Sequence, residues 1–157
     1  AYIRLKLNSL LDEEFVEALY KASIAGVEVD LVISGICALL PGIAGVSENI
    51  RVRSVLGRFL EHSRIFHFAN GGDDEIYIGS ADLMDRNLNR RVESLVRIVR
   101  AEHKKSLISI LDQYLASTTA AWHLVSSGRW QRVDKDPSGK PLADLQAVII
   151  NSYRVQG

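Results

Sequence analysis

The sequence predicts an α/β domain, a single mixed sheet flanked by helices. Three observations carry that reading. Residues 2–33 run strand, helix, strand with short links, which is a βαβ unit and implies a parallel pair with a right-handed crossover. Arg64 to Phe68 and Glu75 to Gly79 read as strands around Asn70-Gly71-Gly72-Asp73, a strong hairpin signal that adds an antiparallel pair. Ala101 to Ala121 places Leu107, Ile110, Leu111, Tyr114 and Leu115 at helical spacing, as a long helix with one apolar face does.

In chain order, Tyr2 to Leu7 alternates aromatic or aliphatic with charged residues, and Asn8-Ser9 ends that strand. Asp12 is the expected N-cap of a helix over Glu13 to Ala25, and Glu13, Glu14 and Glu17 suit its positive start. Phe15, Ala18, Leu19, Ala22 and Ala25 would face the sheet, and Gly26 is the expected stop. Val27 to Ile33 becomes almost wholly apolar, as a buried parallel strand does. Ser34 to Glu48 is a loop punctuated by Pro41-Gly42 and Gly45. Loops that follow the carboxyl ends of parallel strands are where α/β folds hold their sites. Asn49 to Ser54 is expected as a short strand, Leu56 to Glu61 as a helical turn, Asn87 to Arg91 as another turn and Val92 to Val99 as a strand. After Trp122 the character changes: a turn at Ser126 to Gly128 leads to a short strand, Asp134 to Gly139 is an exposed loop, and Leu142 to Tyr153 is a final helix.

At 157 residues the chain is one domain able to bury its own core. Its formal charge is zero but unevenly spread. Residues 1–50 hold three basic and seven acidic groups, residues 51–100 nine and seven, and residues 101–157 seven and five. That bias is too weak for a general nucleic-acid binder and leaves room for a locally gripped polyanion. The lone Cys37 lies in an apolar run, so it reads as a small buried hydrophobe in a reducing compartment, cytoplasmic or peripheral to the membrane. No apolar run is long enough to span a bilayer, and no signal-peptide pattern is present. The chain opens inside a strand without an initiator Met, as a segment of a longer protein does.

Nine of the thirteen arginines fall between Glu48 and Arg100, a stretch without lysine. The guanidinium is a planar, permanently charged fork that matches paired phosphate oxygens, whereas an ammonium is a point charge. On composition alone a solvated, salt-bridged face is the better reading of such a stretch. His62 shifts the balance. It stands between Arg58 and Arg64, and an imidazole can donate to, accept from or attack a phosphoryl group near neutral pH. His67 alternates with apolar residues in a strand and reads as structural; His103 and His123 lack supporting context. Gly79-Ser80, at a strand end, can offer N–H groups and a hydroxyl to an oxyanion, although such a dipeptide is usually only a turn. No zinc-ligand spacing, no Walker A sequence and no G-x-G-x-x-G occurs.

His62 followed by Gly79-Ser80-Ala81-Asp82 resembles a half-site of the phospholipase D superfamily, in which a histidine, a lysine and a Gly-Ser-x-Asn segment grip a phosphoryl group. Here Arg64 stands at the lysine position and Asp82 at the asparagine position. The half-site is therefore degenerate. A closer resemblance rests on Lys6-Leu7-Asn8-Ser9-Leu10, Gly35-Ile36-Cys37, Ser47 to Ser54, Arg58-Phe59-Leu60-Glu61-His62, Asn70-Gly71-Gly72 and Ser80 to Leu88. In that order they resemble the last, C-terminal domain of the type 1 polyphosphate kinase family. The resemblance covers residues 1–121, with residues 122–157 as a divergent tail holding a short strand and a helix.

The resemblance implies a phospholipase-D-like fold and a part in reversible transfer of the terminal phosphoryl group of ATP to inorganic polyphosphate. The transfer would pass through a phosphohistidine in a sister domain that is absent from this chain. At the position of His62 the family has a histidine that contacts nucleotide phosphates and acts as acid or base. Arg58, Arg64, Ser80 and Arg86 are further candidate phosphate contacts. Magnesium ligands are expected in the absent domain. The implied partners are ATP or ADP, polyphosphate and the other domains of the same chain, in a homo-oligomer and without nucleic acid. By itself the fragment would be inactive. Ser34 departs from the pattern, because the family has a phosphate-binding arginine there; Leu40 also replaces a common arginine. Loss of a charge-assisted contact removes about 1.5–3 kcal/mol. The loop has lost its grip, or Arg51 or Arg53 compensates, or the protein is a divergent paralogue. The competing expectation is a non-catalytic phosphate-binding or assembly module. A phospholipase or nuclease ranks third, since the lysine and asparagine are missing.

Overall fold

Strand β1 (Tyr2–Leu7), helix α1 (Glu13–Ile24) and strand β2 (Glu28–Ile33) form the expected βαβ unit in a computed structural model, which describes residues 1–154. The Asp12 carboxylate accepts from the Phe15 N–H at 2.9 Å and satisfies an otherwise orphaned donor at the helix start. At the other end Gly26 takes φ +82°, and its N–H donates to the Ser23 carbonyl while that of Val27 returns to Ala22. A side chain at that φ would be strained, so glycine ends the helix. β1 and β2 pair in parallel from Tyr2↔Glu28 to Leu7↔Ile33, and β3 (Ile50–Ser54) adds a third parallel strand beside β2.

The remaining strands are antiparallel. β4 (Arg64–Phe68) pairs with β1, β5 (Glu75–Gly79) with β4, and β6 (Leu95–Ile98) with β5. The β4–β5 hairpin reverses through Asn70, Gly71 and Gly72, at φ 37°, 67° and 106°. On the other flank β7 (Ala121–Leu124) pairs with β3 and β8 (Trp130–Val133) with β7. The eight-stranded sheet has the order β6-β5-β4-β1-β2-β3-β7-β8. Helices α2 (Asp85–Asn89), α3 (Ala101–Leu115) and α4 (Leu145–Arg154) complete the domain.

Alternation along the strands divides the core between two faces. Leu5, Leu7, Leu31, Ile33 and Phe66 pack with Leu19 of α1 on one side. On the other, Val32 packs with Tyr114 of α3 and Leu145 of α4, and Ile65 and Ile76 pack with Leu111 of α3. Lys6 shares the second face and is only 3% exposed.

Two expectations are corrected. Leu56 to Glu61 is not a helical turn; residues 55–63 form an irregular loop. The long helix ends at Leu115 rather than Ala121. Ala116 is extended, at φ −61° and ψ 140°, and Thr119 Oγ1 donates back to the Gln113 carbonyl at 2.8 Å. The β-branched pair Thr118-Thr119 disfavours further turns, and the next residues gain a full antiparallel ladder against β3 instead. The boundary placed between Ala121 and Trp122 falls within β7. Two smaller shifts accompany these: the turn near Asn87 is α2, starting at Asp85, and the strand expected from Val92 is confined to Leu95–Ile98.

Candidate functional site

The parallel strands β1, β2 and β3 end at Leu7, Ile33 and Ser54, all on one edge of the sheet. Register brings the start of β4 and the end of β5 to the same edge, because Lys6 faces Ile65 and Arg64 faces Gly79. Ser34, His62, Arg64 and Ser80 therefore emerge from neighbouring strand ends, although they lie up to 46 residues apart in sequence. Arg58 lies on the loop that carries His62, and Arg86 lies on α2 after the Ser80 turn.

His62 is exposed, and among the described residues its imidazole has no hydrogen-bond partner, while its carbonyl accepts from Arg64 Nη1 at 2.8 Å. The rest of the Arg64 fork points inward. Nε and Nη2 donate to the two oxygens of Asp82 at 3.1 and 2.9 Å. Asp82 is 2% exposed and also accepts from the N–H groups of Asn8 and Ser9 at 2.8 and 3.2 Å. Burial alone would raise the Asp82 carboxyl, but the guanidinium and the two N–H groups outweigh it and hold the group below the ordinary carboxylate value. The two departures from the phospholipase-D-like pattern are thus one coupled change, a cation and an anion that neutralise each other beneath His62. Arg64 fixes the His62 backbone instead of presenting a free fork.

A second anchor stands beside it. Lys6 Nζ donates to Ser63 Oγ at 2.8 Å and lies 3.1 Å from Glu61 Oε2, so one ammonium holds the residues on both sides of His62. Tyr114 donates its hydroxyl to the same Glu61 carboxylate, and its ring centroid lies 4.8 Å from Lys6 Nζ. Burial lowers the Lys6 ammonium below its usual value despite the opposing pull of Glu61. Burial and the Glu61 hydrogen bond push the Tyr114 phenol up.

Ser80 is not an open oxyanion donor. Its N–H donates to the Ser94 carbonyl at 3.0 Å, and its hydroxyl accepts from the Ser94 N–H at 3.0 Å while donating to the Glu93 carboxylate. Gly79 permits this closeness, since a Cβ there would lie 2.6 Å from the Ser94 carbonyl oxygen. Ser34 turns its hydroxyl onto Asn8 Oδ1 at 3.1 Å. Neither suggested substitute for the missing arginine is free. Arg51 is paired with Asp30 at 2.7 Å and Glu28 at 2.9 Å, and Arg53 donates to the Tyr114 and Ala116 carbonyls at the end of α3, both at 3.2 Å. Arg58 and Arg86 are exposed and have no ion pair among the described residues; the Arg58 guanidinium lies 5.7 Å from the Phe59 ring centroid. His67 is fully buried against Asp74 at 3.0 Å, in keeping with a structural role. Lys6, Glu61 and Tyr114 escaped sequence reasoning, because a charged residue in an alternating strand reads as solvent-facing until α3 is known to cover that face.

Residues 1–144 match the family described as polyphosphate kinase C-terminal domain 2. A polyphosphate kinase of Streptomyces coelicolor is 53% identical over 154 residues, covering 98% of this chain and 21% of that protein. The crystal structure of polyphosphate kinase from Porphyromonas gingivalis aligns with TM-score 0.88 and 38% identity, over 99% of this chain and 24% of the other. A phospholipase D family member from Salmonella typhimurium aligns with TM-score 0.56 at 18% identity, covering 85% of this chain and 83% of its own, which is a likeness of fold.

Proposed function

The chain belongs to the polyphosphate kinase C-terminal domain 2 family, and on that premise we propose that it is the nucleotide- and phosphate-contacting domain of an enzyme that transfers the terminal phosphoryl group of ATP to polyphosphate. The observation that carries the proposal is His62: an imidazole with no hydrogen-bond partner among the described residues, at the carboxyl edge of the sheet, on a loop held by Arg64 and Lys6. In such a place the imidazole can hydrogen-bond a phosphoryl oxygen and give or take its proton at Nε2 or Nδ1. The exposed Arg58 and Arg86 supply charge that no carboxylate among the described residues neutralises. Phosphoryl transfer is catalysed mainly by positioning and electrostatic stabilisation, so a fixed imidazole with free guanidinium groups nearby is suited to it. The phosphohistidine would lie in a sister domain of the full-length protein.

Magnesium does not fit the residues present. Among the described residues no three His, Cys, Asp or Glu side chains converge, and Asp82 at the site is already saturated by Arg64 and two N–H groups. Among the described residues no helix is long and apolar enough to cross a membrane.

ATP-dependent polyphosphate synthesis by the full-length protein, compared with its His62→Ala variant, tests the proposal. Synthesis by the parent and its loss in the variant are expected. A second reading, a non-catalytic phosphate-binding or assembly module, is favoured by Ser34, whose hydroxyl is turned onto Asn8 at a position where the family resemblance implies a phosphate-binding arginine. A full-length parent that binds polyphosphate but makes none from ATP would select it.

A further inference from the structure

The loop at residues 55–63 carries both Arg58 and His62 yet has no ladder of its own. A backbone that presents side chains in one direction must find its hydrogen bonds elsewhere. At the middle of the loop the Phe59 N–H donates to Gln146 Oε1 at 2.8 Å, and Gln146 Nε2 donates to the Phe59 carbonyl at 2.8 Å. One side-chain amide thus pairs with both backbone groups of a single residue, as a neighbouring strand would. Gln146 is 9% exposed and sits on α4, which is seated on the sheet by Leu145 against Val32 and Tyr114. The loop is shaped to admit it: a Cβ on Gly57 would overlap the Gln146 side chain. The family match ends at residue 144, two residues before this glutamine.

We propose that Gln146 is a positioning residue for the His62 loop. Helix α4 reaches back along the α3 face and fixes Phe59, and so sets the direction in which Arg58 and His62 meet the phosphates. Lys6 and Arg64 hold the loop at its end; Gln146 holds its middle. The residues beyond Trp122 then belong to the working part of the domain. This inference rests on the phosphoryl-transfer reading.

The test uses the full-length protein with Gln146→Ala, Gln146→Glu and, from the other side of the contact, Gly57→Ala. Gln146→Ala should lower kcat about ten- to hundredfold, the scale expected when a catalytic group is slightly misplaced. Gln146→Glu keeps the acceptor for the Phe59 N–H but sets a carboxylate oxygen against the Phe59 carbonyl, so it should lose at least as much activity as Gln146→Ala. Gly57→Ala should approach Gln146→Ala. In a His62→Ala background Gln146→Ala should change kcat by less than about twofold, because a residue acting through His62 is non-additive with it. Equal losses in both backgrounds would overturn the proposal and leave Gln146 a purely structural residue. Hydrogen exchange of the peptide covering residues 55–63 gives a readout independent of activity. Faster exchange in Gln146→Ala is expected even if the parent makes no polyphosphate, in which case the phosphoryl-transfer reading alone fails. Unchanged exchange would overturn the anchoring itself.

Discussion

Arg58, on the loop before β4, and Arg64, at the start of β4, lie six residues apart and use the same charge in opposite ways. Arg64 is turned inward, its side chain 14% exposed, with two nitrogens on a buried carboxylate and a third on the His62 carbonyl. Arg58 is exposed and rests on a ring. The same division runs through the rest of the arginine-rich stretch: Arg51 and Arg53 are committed to Asp30, Glu28 and the end of α3, whereas Arg86 has no ion pair among the described residues. Arginine content therefore overstates the charge available to a polyanion. The inward arginines build the edge; among the described residues Arg58 and Arg86 leave their charge open to solvent.

Substitutions should separate the two groups. Arg64→Ala leaves Asp82 buried without its cation and should cost about 3–5 kcal/mol of stability, as broken buried pairs do. Urea denaturation measures it, and a cost below about 1 kcal/mol would move Arg64 into the outward group. Arg53→Ala removes the cation that holds two carbonyls at the α3 terminus and should cost about 1–2 kcal/mol by the same measurement. Arg58→Ala and Arg86→Ala should each change stability by less than about 0.5 kcal/mol. In the full-length protein, however, each should raise the KM for ATP about tenfold, the loss of one charge-assisted contact. An unchanged KM in both variants would return Arg58 and Arg86 to the solvated surface.

The Arg64–Asp82 pair also sets a pH dependence. The folded-state value of Asp82 lies below its ordinary 3.8, so the unfolded chain binds this proton first as the pH drops. Its contribution is present in full above about pH 5 and is lost as the pH falls through the folded-state value. Asp82→Asn should flatten the acid limb of the stability curve while lowering stability at pH 7. A curve of unchanged slope would show that other carboxylates carry the acid transition.

The legible parts of this fold are those whose signals are local. Asp12 and Gly26 bracket α1 within a few residues of it, and Asn70-Gly71-Gly72 dictates the hairpin through backbone conformations that few other residues adopt. The end of α3 is only faintly legible: Thr118-Thr119 is a weak local signal, and what draws the chain out is pairing with β3, more than sixty residues earlier. At the site, His62, Arg64 and Asp82 could be singled out from their motif positions, but not the pairing of the last two, which depends on strand register. Local sequence leaves Ser80 looking like an open donor, because its partner Glu93 belongs to the next strand connection. Gln146 gave no sequence signal, since its partner Phe59 is 87 residues away. Partnerships made through tertiary structure decide which charges remain free, and pattern alone does not report them.

The most direct single measurement is kcat for ATP-dependent polyphosphate synthesis by the full-length protein carrying His62→Ala. A fall of about a hundredfold or more, the scale of a lost general acid or base, is expected, with stability within about 0.5 kcal/mol of the parent because the imidazole is exposed. Parental kcat in that variant would mean that the anchored loop presents an ordinary surface histidine, and that the edge of the sheet does no phosphoryl chemistry through it.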